Sequence, residues 1–184
     1  DFSYEPRIAW NNAASYSNAL YNENFYKTLY AILSSSNEVL GKVEIGDMVI
    51  ENDEGGDETP MVEAVAHLAK SLCLGYIGLT YDKGFIVTEY TDLTQTIPTS
   101  PYADFIDTAL VGLDKCIAIC NANTFTLPSS WVPGITMTNT KLGQLANTVA
   151  AALLSYSPRN MTENEAVDWG LVQDYADNGL PYDF

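Results

Sequence analysis

Trp10 followed by Asn11 and Asn12, with Tyr4 shortly before them, is the stretch whose residue types best suit a chemical task. An indole stacks on the apolar face of a pyranose, and neighbouring amides both donate to and accept from its hydroxyls. Trp131, between Leu127-Pro128 and Pro133-Gly134, carries a second ring on a loop. Packing is the competing role for both tryptophans: Trp10 would plug the end of a helical core, and Trp131 would cap the two helices its loop joins. For both, packing is the favoured reading. Tyr4, Trp10, Asn11, Asn12 and Trp131 are the candidate ligand-binding residues.

Other chemistries find less support. With 24 acidic residues in the chain, some pair could always face across a cleft as glycoside hydrolysis requires, so the pairing carries little weight. No nucleophile motif, phosphate loop or metal-ligand spacing is present, and the chain is expected to bind rather than catalyse, without a cofactor. His67, the single histidine, has no aspartate or nucleophile at a fixed offset and is expected on a helix surface. The acidic run over 46–58, GDMVIENDEGGDE, offers oxygen ligands for calcium. Its spacing fails the EF-hand pattern, because counting from Glu51 places Val62 where a bidentate glutamate should stand; a solvated loop is expected. Cys73, Cys116 and Cys120 form no CxxC and no cluster with histidine. Buried free thiols are expected rather than a disulfide or a zinc site.

The balance of 24 acidic against 8 basic residues gives a formal charge of -16. Such a surface repels nucleic-acid phosphates and anionic lipid, and no lysine or arginine cluster overrides it. At 47% apolar and 17% charged residues, the 184-residue chain is no disordered acidic tail and is long enough to bury one core. No apolar run long enough to cross a membrane is expected.

Five helices are predicted. The first spans 24–40, with Tyr26, Leu29, Ile32, Leu33, Ser36 and Leu40 at helical spacing and Gly41 as its stop; residues 1–23 read as loop. The second begins at Thr59-Pro60, a cap and a first-turn proline, and runs to about Thr80 with Val62, Val65, Ala66, Ala69, Leu72, Cys73, Tyr76 and Leu79 as its stripe. The third starts at Ser100-Pro101 and carries Ile106, Ala109, Leu113, Ile117 and Cys120 on one stripe, with Asp107, Asp114 and Lys115 mostly outward. Between these two, Phe85-Ile86-Val87 is expected to make a short extended segment. The fourth has its stripe at Leu142, Leu145, Ala146, Val149, Ala150 and Leu153, with small or polar residues elsewhere that would let another helix approach, and Pro158 ends it. Thr162 and Glu165 have capping-box spacing for a fifth helix carrying Val167, Leu171 and Tyr175, stopped by a left-handed Asn178-Gly179.

The run Leu145-Ala146, Ala150-Ala151-Ala152, Tyr156-Ser157-Pro158-Arg159-Asn160, then Val167-Asp168-Trp169, Val172, Ala176 and Gly179-Leu180, resembles the helical core of the SusD-like (RagB/SusD) family. The first helix, with Tyr30, Leu33, Asn37, Val39 and Leu40, and the third, with Tyr102, Phe105-Ile106, Ala109-Leu110 and Leu113-Asp114, are similar to that family's pattern. The second helix and Gly84-Phe85-Ile86-Val87 depart from it. The resemblance implies an all-α fold of tetratricopeptide-like helix pairs, first with second and third with fourth, stacked with long inserted loops. Asn37 would serve packing. No fixed period relates the helices, so the repeat would be irregular. Residues 1–184 would form a single helical-repeat domain, a piece of a longer protein, with an unpartnered fifth helix. The implied role is surface glycan binding on the cell-surface side of the outer membrane. The implied partners are an oligosaccharide and a TonB-dependent (SusC-like) transporter, and the tether is a lipid anchor missing from this chain. A helical-repeat interaction scaffold, or uptake of peptide or glycopeptide, is the alternative.

Overall fold

The computed structural model describes residues 13, 15, 16 and 19–181. The fold is all-α: α1 (Ala19–Leu40), α2 (Thr59–Thr80), α3 (Tyr102–Ala122), α4 (Asn139–Tyr156), α5 (Met161–Glu165) and α6 (Trp169–Asp177). Two residue pairs, β1 (Lys83–Gly84) and β2 (Ser100–Pro101), make a minimal antiparallel ladder with Lys83 opposite Pro101 and Gly84 opposite Ser100. The expected extended segment at 85–87 is not in this ladder, which takes only the two residues before it.

The helices form a continuous stack in which α2 is central, packing on α1, α3 and α4. As expected, α1 packs on α2 and α3 on α4, but the most extensive seam, α2 with α3, joins those two pairs. The cause is small residues at the α2–α3 seam. A Cβ on Gly78 would lie 3.0 Å from Phe105 Cβ and Ile106 Cδ1, and one on Gly112 would lie 2.2 Å from Ser71 Oγ. Both sites let the backbones approach more closely than alanine would allow. Leu33, Leu40, Leu74, Ile77, Phe105 and Leu113 are fully enclosed in the resulting core. Contrary to expectation, α2 is long and apolar enough to cross a membrane. Its neighbours take up that apolar surface, with 61% of the apolar window buried.

Several helix ends differ from the expected ones. The first helix starts at Ala19, inside the stretch read as loop, and Gly41 does not stop it. The chain continues through a π-helical turn, Gly41–Ile45, in which Gly46 N–H donates to Gly41 O. The stop comes at Gly46, where a Cβ would sit 2.8 Å from Lys42 O, and at Asp47, which takes a left-handed φ of 50°. The fifth predicted helix is two. Asn160, not Thr162, caps α5 by accepting from Glu163 N–H, while Glu163 accepts from Arg159 N–H. After α5 closes, Asp168 accepts from Leu171 N–H and starts α6 anew, leaving Val167 in the break. Asn178 has an ordinary φ of -94°, and Gly179 is not left-handed either. Gly179 is glycine because α4 passes so close that a Cβ would meet Thr148 Oγ1 at 2.7 Å. Helix α6 is not unpartnered, since it packs on α4.

Each long insertion is closed at its base by a short antiparallel contact: Glu51 with Asp57, β1 with β2, and Thr126 with Thr138. The acidic loop is further held by Asn52, whose Oδ1 accepts from Glu54 N–H and Gly56 N–H. Asn37 has the packing role expected of it, donating from Nδ2 to Val87 O and so tying α1 to the second insertion. All three cysteines are free and buried.

Arg159, from the YSPRN run, fastens the far end of α2. Its Nη2 donates to Gly78 O and Tyr81 O, its Nη1 pairs with Asp82, and its guanidinium lies 3.8 Å from the Tyr102 ring centroid. The two carbonyls belong to the C-terminal end of α2, where cationic donors are favoured. Arg159→Ala should therefore lower stability by about 2–3 kcal/mol in chemical denaturation, and Arg159→Lys should recover less than half of that, because lysine lacks the planar fork.

Candidate functional site

Of the expected ligand-binding residues, Tyr4, Trp10, Asn11 and Asn12 lie outside the described residues. Trp131 sits on the turn between α3 and α4 and is 47% exposed. It is not the buried cap of those helices: Leu127 and Met137 enclose that end of the core, joined across the loop by Leu127 N–H to Met137 O.

A groove of about 600 Å³ opens where the end of α3, the start of α4 and the end of α6 meet. That volume is within the range of small-molecule sites. Its lining is dominated by amides: Asn121, Asn139, Gln144, Asn147 and Asn178, with Thr140 and Asp177 beside them. Three of these are held in place through their NH2 groups. Asn139 donates to Cys120 O, Asn147 to Gly143 O, and Asn178 to Asp174 O. Each of those bonds leaves the Oδ1 as an acceptor with no protein donor among the described residues. Asn121 and Gln144 make no side-chain hydrogen bond at all among the described residues and offer both donor and acceptor. The lining holds no lysine, arginine or aromatic ring. Such a surface suits a neutral ligand rich in hydroxyls and disfavours an anion, since Asp177 is its one charge.

These residues were dispersed over more than fifty positions of sequence, and only their convergence reveals them. The one local signal was the small and polar face of α4 at Gly143, Asn147 and Thr148, which is where α6 approaches.

A second constellation gathers on α2 and the π-helical turn. His67 is fully buried on α2, not on the surface as expected. The π-helical turn is what reaches it: Glu44, carried on that turn, meets His67 Nε2 through Oε1 at 2.7 Å. An extra residue in a helical turn rotates the side chains that follow, and here the rotation aims Glu44 at α2. Lys115, expected outward, instead reaches both Glu44 oxygens at 3.0 and 3.2 Å, and Tyr90 donates its hydroxyl to Glu44 Oε2. Burial pushes the Glu44 carboxyl up, but hydrogen bonds from Tyr90 and Lys115 outweigh it and hold the group below the usual carboxylate range. Burial lowers the His67 pKa despite the opposing charge of Glu44, and so favours the neutral ring. A neutral ring facing a carboxylate must donate from Nε2, which leaves Nδ1 as the bare nitrogen, and that atom is buried without a partner. Glu63, one turn before His67, has Oε1 4.0 Å from Nε2. Its carboxyl is raised by burial and by the charge of Glu44.

The residue before Tyr90 makes the companion contact. Glu89 Oε2 pairs with Lys70 Nζ at 2.5 Å, with both side chains almost wholly buried. Consecutive residues of the second insertion thus point to opposite anchors, Glu89 to α2 and Tyr90 to the π-helical turn.

Comparison of the chain with known protein families, with curated proteins and with solved structures returns no match.

Proposed function

We propose that this chain is a binding module that captures a neutral, polyhydroxylated ligand, an oligosaccharide, in the amide groove between α3, α4 and α6. The observation that carries the reading is the set of fixed amides with unclaimed carbonyl oxygens, next to two amides with no protein partner. Sugar hydroxyls donate to the former and exchange hydrogen bonds in both directions with the latter. The mechanism is capture without chemistry. Resemblance to the SusD-like family extends the proposal to a surface glycan-binding lipoprotein of the outer membrane that hands its ligand to a TonB-dependent transporter. The YSPRN run supports that resemblance only as scaffold, since Arg159 and Asn160 serve helix ends.

An interaction scaffold is the second reading, favoured by the exposure of Tyr156, Met161, Trp169 and Leu171 around α5 and α6.

Affinity gel electrophoresis on a polysaccharide panel separates the two. At least one neutral polysaccharide should retard the chain. Asn121→Leu and Gln144→Leu, which remove no protein hydrogen bond, should each weaken binding by about fivefold, the worth of one hydrogen bond. Retardation lost only in Trp131→Ala would move the site to the α3–α4 loop. No retardation by any polysaccharide would favour the scaffold.

A further inference from the structure

We propose that Glu44, Glu63 and His67 form a site for one borderline divalent transition ion such as Zn²⁺, and that the Lys115 ammonium occupies its place when the ion is absent. This site is separate from the amide groove and does not rest on the glycan reading.

Three ligand-type atoms from two elements converge, all within 4.8 Å of one another. Tetrahedral zinc with bonds of about 2.0–2.1 Å holds its ligand atoms roughly 3.3 Å apart. Glu44 Oε1 is now closer to Nε2 than that, at 2.7 Å, because it accepts a hydrogen bond, and Glu63 Oε1 is farther, at 4.0 Å. Shifts of about 1 Å or less on each of these two side chains would make both distances suitable. Glu63 and His67 are four residues apart on α2 and share a face, while the π-helical turn supplies Glu44 from the other side.

Two further observations favour an ion. Glu63 has no hydrogen-bond donor within normal distance among the described residues, and its side chain is 26% exposed, so one ligand is uncommitted and the site opens to solvent there. Lys115 Nζ lies against both Glu44 oxygens, where a cation is wanted, yet its side chain is 42% exposed and can swing into water. Coordination through Nε2 moves the ring proton to Nδ1. That nitrogen has no partner in either tautomer, so the move sacrifices no hydrogen bond to it. Two carboxylates and one imidazole leave at least one position for water, a donor set suited to zinc.

Titration calorimetry with ZnCl2, and absorption spectroscopy with CoCl2, test the proposal. One ion per chain should bind, with the visible bands of four- or five-coordinate cobalt. His67→Gln and Glu63→Gln should each weaken binding at least about tenfold, with circular dichroism used to verify folding. Lys115→Met, at a half-exposed position, should tighten binding about tenfold by removing the competing cation. Octahedral cobalt spectra, binding unchanged in Glu63→Gln, or weaker binding in Lys115→Met would overturn the proposal, as would no binding at all. Oligosaccharide retention should be the same with and without zinc.

Discussion

Lys70→Ala is expected to lower folding stability by about 3–5 kcal/mol, a large share of the roughly 5–15 kcal/mol that holds a domain together. The substitution leaves Glu89 as a buried charge with no counterion, since its side chain is 1% exposed and Lys70 is its partner at 2.5 Å. Desolvation of that carboxylate is then uncompensated. The same reasoning makes the double change Lys70→Met with Glu89→Leu far milder, neutral to within about 1 kcal/mol or stabilising, because neither charge remains to be desolvated. Urea denaturation of the wild type, both single variants and the double variant forms a complete cycle. Loss in the singles without recovery in the double would mean that the insertion is held by something other than this pair.

Phe105→Ala should cost about 3–5 kcal/mol by the same measurement, through a cavity that the surroundings cannot close. Phe105 is completely buried at the start of α3, where it reaches across to β1: a Cβ on Gly84 would lie 2.9 Å from Phe105 Cζ and 2.8 Å from Tyr30 Oη. Tyr30 is fixed there by accepting from Phe85 N–H and donating to Phe85 O. The ring therefore fills a space bounded by backbone, and backbone relaxes least. Gly84→Ala should itself destabilise by about 1–3 kcal/mol through overpacking. In the Phe105→Ala background that second penalty should shrink, because its nearest carbon obstacle is gone.

The sequence was most readable where a single helix face decides the outcome. The stripes on α3 and α4 and the proline after α4 follow from spacing alone. The face read on α2, by contrast, is the less buried one: Tyr76 is exposed, and Met61, Ala64, Leu68, Leu74 and Ile77 are enclosed instead. Readings failed where a partner from elsewhere in the chain decides. Gly41 looks like a stop, yet the helix runs on because a wider turn can bond Gly46 to Gly41. Thr162 looks like a cap, but Asn160 is better placed once Arg159 is drawn to the end of α2. His67 resembles a surface residue in its own helix, and only Glu44, more than twenty residues earlier, makes its burial tolerable. The glycines of the α2–α3 seam hide the same lesson, since nothing local says that Ser71 stands opposite Gly112. Of the candidate ligand-binding residues, only Trp131 falls within the described region. The amide groove is invisible in one dimension, because five ordinary amides acquire meaning only when α3, α4 and α6 bring them together.

Two-dimensional NMR titration with an oligosaccharide taken from the polysaccharide that retards the chain most strongly tests the central claim directly. The side-chain NH2 resonances of Asn121 and Gln144 should move most, with smaller shifts at Asn139, Asn147 and Asn178, whose amides remain tied to backbone carbonyls. Shifts confined to the Trp131 indole, or to residues remote from the meeting of α3, α4 and α6, would contradict the assignment of the groove as the binding site.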